Sequence, residues 1–217
     1  MPERNRVTPA GEIVAIDLRG TFMGNRGCMH EGRAIVRPYR GRRWITCALS
    51  FRGRRVAQWA PGRYTVLFFA DEPVALAAGH RPCAECRWPD YVRFRDALAA
   101  AHGLDAPSAG DMDALLHASR LDGRAQRRHP APWAALPDGT FALHEGAAAV
   151  VHGDAVIPWS ATGYGDALAR PAAGDATVLT PAAVVATLAA GYRPAPPAAD
   201  AAAAGPAAGG GRDRARP

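Results

Sequence analysis

The sequence predicts an α+β fold, and three observations carry that reading. Runs rich in β-branched and aromatic residues crowd the stretch from Gly11 to Ala70. Two segments with helix start and stop signals follow between Asp71 and Gly103. Three short apolar runs joined by tight turns then lie between Phe141 and Trp159. In order, these give an Arg-rich antiparallel β segment, a cysteine knuckle between two helices, a third helix, and a small C-terminal β-meander with a terminal helix. The expected organisation is an Arg-rich β segment with its knuckle over 1–103, a helical connector over 104–130, a small α/β unit over 131–194 and a disordered tail over 195–217.

The first strands are read at Ile13–Ile16, Ala34–Val36, Trp44–Phe51 and Tyr64–Phe69, with Arg40-Gly41-Arg42 and Arg52-Gly53-Arg54 as turns in which glycine supplies a positive φ. Trp44, Cys47 and Leu49 do not share one parity, so alternation does not say which face of their strand is buried. From Asp71 the text changes to helix grammar: an acidic start, Pro73 in the first turn, an apolar run to Ala78, and Gly79 as a left-handed stop. A second helix runs from near Pro89 to His102, with Tyr91, Phe94 and Leu98 on one face. Ser108 or Asp111 caps a third, on which His117, Arg120, Arg124, Arg128 and His129 form a candidate phosphate-facing stripe broken by Gly123. Thr177–Pro181 runs as a strand into a last helix, with Thr180 as its cap and Gly191 as its stop.

All 26 basic residues are arginine, the formal net charge is +6, and the excess lies in the first half of the chain. Residues 19–63 hold eleven arginines and one acid, Glu31. So concentrated a field favours a polyanion, with nucleic acid as the expected partner and DNA favoured over RNA. The candidate contacts are Arg40, Arg42, Arg43, Arg52, Arg54, Arg55, Arg81 and Arg87, with Tyr39, Trp44 and Trp59 placed among them to stack on bases. No apolar run is long enough to span a bilayer and the N-terminus lacks a secretory signal, so no membrane partner and a cytoplasmic location are expected.

In such a compartment four cysteines are read as metal ligands or core thiols rather than disulfides. Cys83-Ala84-Glu85-Cys86 is a C-x-x-C turn whose thiolates can grip one tetrahedral Zn²⁺. A strand, a short helix and a C-x-x-C that opens another helix is the order of a treble-clef-like zinc unit, to which the preceding strand brings Cys47. Cys28 is the simplest fourth ligand by count, with His30 and His80 as rivals.

The stretch Phe68–Arg87, with its Ala-rich helix followed by Gly79-His80-Arg81-Pro82-Cys83-Ala84-Glu85-Cys86, resembles the second half of the zinc-binding domain of the Ada family of DNA methylation repair proteins. That resemblance implies zinc at Cys83 and Cys86, held beside DNA. The family carries its other two ligands as C-x-x-x-C; here Arg43 stands four residues before Cys47 and Phe51 four after, so the methyl acceptor of that family is not implied. The full chain, including Arg19–Gly27 and Val178–Pro181, is similar to a group of bacterial proteins, a likeness that adds no activity.

Three readings follow. The first is a zinc protein that contacts nucleic acid, in DNA repair or processing. The second is a metal- or thiolate-dependent enzyme with Cys47 or Cys28 as nucleophile, His30, His80 or His117 as proton carrier, and Asn25, Arg26 and His30 in an active-site loop. The third is a zinc-stabilised interaction scaffold whose working surface is the meander.

Overall fold

The computed structural model describes residues 1–54, 56–195 and 197. Arg55, and Pro196 and residues 198–217 of the expected tail, lie outside them. Among the described residues the chain is α+β, built from a six-stranded and a seven-stranded sheet, two two-stranded ribbons and four α-helices. Strands β1 (Arg6–Val7), β2 (Ile13–Val14) and β3 (Phe22–Asn25) come first, followed by a two-stranded ribbon of β4 (His30–Glu31) and β5 (Ala34–Ile35). Next come β6 (Ile45–Ala48), β7 (Leu67–Phe69), α1 (Glu72–Ala77), β8 (Arg81–Pro82) and α2 (Trp88–His102).

The first sheet runs β2-β1-β7-β3-β6-β8. It is mixed rather than wholly antiparallel, because β1 pairs parallel to β7 and β6 parallel to β8. Its centre is Phe22–Asn25, a stretch whose glycines read as loop in the sequence. Gly24 is needed there, since a Cβ would lie 2.2 Å from the Ile45 carbonyl oxygen and 2.9 Å from the Phe69 ring. The register sets Met23 beside both Cys47 and Phe68, and Ile45 between Asn25 and Arg81. One face therefore carries Met23, Ile45, Cys47 and Phe68, while the other sends Leu67 and Phe69 into the core with Val74 and Ala75 of α1.

Helix α1 is buried at every position, capped by the Asp71 carboxylate on the Val74 amide and ended by Gly79 at φ 83°. Helix α3 (Ala109–Arg120) begins in a Ser108/Asp111 capping box and stops at Arg120. Beyond it β9 (Leu121–Asp122) and β10 (Ala125–Gln126) form a hairpin at Gly123, so the expected stripe ends at Arg120 and does not continue as helix to His129.

The second sheet comprises β11 (His129–Pro132), β12 (Phe141–His144), β13 (Ala147–His152), β14 (Ala155–Ser160), β15 (Gly163–Tyr164), β16 (Leu168–Ala169) and β17 (Asp175–Val178), and α4 (Ala182–Ala189) follows it. Its middle strands are buried on both faces. Val150 and Ile157 meet the first sheet's core, whereas Val151 and Val156 pack with Trp133 and Val178. Among the described residues, the apolar side chains of the meander's middle strands are thus taken up by these two cores. Thr180 does not cap α4; its hydroxyl accepts from the Phe141 amide and ties that helix to the sheet. A further cluster joins Leu76, Phe94, Leu98, Leu116, Val184 and Tyr192, so segments 1–103, 104–130 and 131–194 share their cores.

Candidate metal centre and groove

Cys47, Cys83 and Cys86 come together with their sulfurs all within 4.8 Å of one another. Two elements achieve this. Strand β6 turns Cys47 to the open face of the sheet, and parallel pairing lets the Cys83 amide donate to the Thr46 carbonyl at 2.9 Å, which fixes the knuckle beside it. The Glu85 amide then points at Cys83 Sγ, 3.4 Å away. Sulfurs on a tetrahedron around a metal at about 2.3 Å stand roughly 3.8 Å apart, so the donor set fits an ion. Thiolates with amide donors aimed at them are a donor set that could hold a soft metal ion.

Without an ion the trio shares its protons unequally. Cys83 is pulled down to about 5, first by the hydrogen bond from Cys47 and then by the amides of Cys86 and Glu85. Cys47 is pushed up by donating that bond, by burial, and by the charge on its neighbours; burial leads in pushing Cys86 up. One thiolate therefore sits between two thiols.

Cys28 is not part of the group. After β3 the chain turns at Gly27, with φ 88°, and carries Cys28 away, its sulfur 4.0 Å from the His30 carbonyl. Neither rival histidine completes the set. His30 lies on the Thr65 hydroxyl at 2.7 Å and against Trp59, inside the loop packing. His80 is fully buried between Phe69 and Trp44, where burial and the charges of Arg26 and Arg120 drive its pKa well below the ordinary histidine value. Its neutral Nε2 accepts from Arg26 Nε at 3.3 Å. Among the described residues the candidate centre offers three thiol ligands.

The centre lies in a groove of about 1020 Å³. Phe51, Tyr64 and Phe68 supply aromatic surface, and Arg43 and Arg54 line it from exposed positions. Arg54 is joined to Glu85 at 2.8 Å, across a pair exposed enough for solvent to screen it. Arg40, Arg42 and Arg52 are exposed as expected of charges at turns. Two of the expected nucleic-acid contacts are structural instead. Arg81, 2% exposed, makes a bidentate pair with Asp113 on α3, and Arg87, 6% exposed, joins Glu72 and Asp90. Both sit where helices cross the knuckle, and their charges are consumed there. Trp44, 3% exposed, is likewise internal and cannot stack on a base.

Sequence reasoning missed the share of Phe51 and Tyr64 in the groove. Both were expected at the ends of strands, Trp44–Phe51 and Tyr64–Phe69, but those strands are confined to Ile45–Ala48 and Leu67–Phe69, which leaves Phe51 and Tyr64 in the loops that border the groove. No protein family, curated protein or solved structure matches the chain.

Proposed function

We propose that the protein is a zinc protein that binds nucleic acid, DNA in preference, along the groove beside its thiolates. The observation that carries this reading is the placement of Cys47, Cys83 and Cys86 on the same open face as Arg43, Arg54, Phe51 and Tyr64. Zinc is the metal best suited to three thiolates in a reducing cell, since it needs no redox chemistry and accepts tetrahedral sulfur. Guanidinium groups at the rim neutralise phosphates, and aromatic rings in the floor accept bases of any sequence. The likeness of Phe68–Arg87 to the Ada zinc domain supports the same ligand and the same pair of cysteines. Titrating zinc-loaded protein into a labelled single-stranded or duplex oligonucleotide at rising salt tests it. Binding at low salt that weakens steeply with added salt, and falls tenfold or more in Arg43→Glu/Arg54→Glu, is expected. Binding that ignores both salt and the reversals refutes the reading.

The three-ligand count favours a second reading, an enzyme. A closed structural zinc has four protein ligands, whereas a site with three leaves one position to water or substrate. That position would face the groove. In cobalt-substituted protein, visible bands that shift on adding a phosphodiester support this reading; bands that stay fixed exclude it.

A further inference from the structure

A second pocket of about 560 Å³, which shares no lining residue with the groove, lies between the β1–β2 turn, the segment around Tyr39, Trp44 and the β9–β10 hairpin. Two buried arginines line it. Arg26 is 3% exposed and Arg120 1% exposed, and their guanidinium carbons lie 4.2 and 4.6 Å from the centre of the Trp44 ring. Each is held by neutral groups: Arg26 donates to His80 and to the Gly11 carbonyl, and Arg120 to the carbonyls of Leu116 and Arg42. In both, Nη2 is buried without a hydrogen-bond partner. Neither forms an ion pair among the described residues; the acid nearest in effect to Arg120, Asp113, is already bidentate on Arg81.

Two uncompensated guanidiniums against one indole are costly for a fold to bury. Burial lowers both to about 9, with Arg120 adding to the effect on Arg26 and Arg81 to that on Arg120, so both stay charged at neutral pH. Arg4, Arg124 and Arg128 add positive charge at the wall, and Glu12 is the acid among the lining residues. Gln126 donates its amide to the carbonyls of Pro9 and Ala77, which leaves Oε1 buried and unpartnered as an acceptor.

We propose that this pocket binds a phosphate monoester carried on a hydroxylated group such as a sugar. A monoester dianion balances two guanidiniums where a carboxylate balances one, and arginine forks match its oxygens. The volume exceeds a bare phosphate and admits a sugar or nucleoside behind it. A sugar hydroxyl supplies the donor that Gln126 Oε1 lacks. The site is independent of the metal and of the groove. Its ligand is either a free sugar phosphate or the 5′-phosphorylated end of a nucleic acid.

Calorimetric titration of the full chain with ribose 5-phosphate tests it, with ribose and inorganic phosphate as comparisons. Ribose 5-phosphate is expected to bind at least tenfold more tightly than phosphate, with no binding of ribose. Arg26→Gln and Arg120→Gln each weaken it tenfold or more. Because these positions are buried, the exposed reversals Arg124→Glu and Arg128→Glu are read alongside them, each costing a few-fold, while Glu12→Gln tightens binding. Equal affinity for a 5′-phosphorylated and a 5′-hydroxyl oligonucleotide assigns the site to free sugar phosphates; a preference for the phosphorylated end, lost in Arg124→Glu, assigns it to nucleic-acid ends. Absence of ribose 5-phosphate binding together with indifference to the 5′-phosphate overturns the proposal, as does binding that none of the four arginine substitutions changes.

Discussion

Trp44 and Cys47 stand three residues apart and serve opposite sides of the first sheet. The Trp44 ring lies under Arg26 and Arg120, and the Cys47 sulfur lies with Cys83 and Cys86. Trp44, the residue before β6, lines one cavity, and Ile45 and Cys47 on β6 line the other, so one short stretch of chain divides the chemistry between them.

The thiol trio makes a selective prediction about metal content. Cys47→Ser, Cys83→Ser and Cys86→Ser should each lower zinc affinity by more than the ~10–100-fold that an outer-shell change costs. Cys28→Ser should leave it unchanged, because that sulfur faces the His30 carbonyl. Metal analysis of the four purified variants checks this. An equal loss in Cys28→Ser would place a fourth sulfur at the centre.

Proton release on metal binding follows from the unequal sharing within the trio. Near pH 7 Cys83 is already a thiolate, while Cys47 and Cys86 are held protonated, so loading the site should expel about two protons per ion. Affinity should therefore rise with pH. Because Cys83 takes up its proton as pH falls through about 5, the dependence should steepen there to about three protons. Titration calorimetry in buffers of different ionisation enthalpy measures the count, and a value near zero at neutral pH would contradict the assigned protonation.

The Arg81–Asp113 pair ties the knuckle to α3 at 2.8 and 2.9 Å. Asp113→Asn should cost about 3–5 kcal/mol, because it leaves a buried guanidinium unbalanced. The double change Arg81→Met/Asp113→Leu should recover much of that loss, since buried pairs are often replaceable by apolar groups of similar size. Denaturant unfolding of the two variants compares them; equal costs would mean the pair is worth more than its desolvation.

Local grammar made much of this structure readable. Asp71, Pro73, Gly79, Ser108 and Gly103 act through backbone geometry and caps, and each marks its helix as expected. The C-x-x-C was legible as a local motif, and Cys47 because a strand upstream of the helix and knuckle can pair beside it and deliver a third thiol. Phe22–Asn25 was not legible, because Gly24 is there for lack of room rather than for a turn, and a close approach leaves no periodic trace. Nor could composition separate arginines that meet solvent, such as Arg43, from Arg81, Arg87 and Arg120, whose partners come from distant segments.

Gly24 supplies the sharpest test of how the sheet presents the metal centre. A methyl group there would meet the Ile45 carbonyl oxygen at 2.2 Å and the buried Phe69 ring at 2.9 Å, so β3 and β6 must separate or the core must open. Gly24→Ala should therefore cost about 3 kcal/mol or more, well above an ordinary surface change. Since Thr46 pairs with Gly24 and Cys47 follows it, the displacement should also move one of the three sulfurs and lower zinc affinity. Gly53→Ala is the control. Its φ of 66° makes an alanine strained by about 1 kcal/mol, but its Cβ would meet open space, so metal affinity should hold. Thermal unfolding with and without zinc separates the two effects: a Gly24→Ala protein that keeps both its stability and its zinc affinity would mean that β3 does not set the position of Cys47.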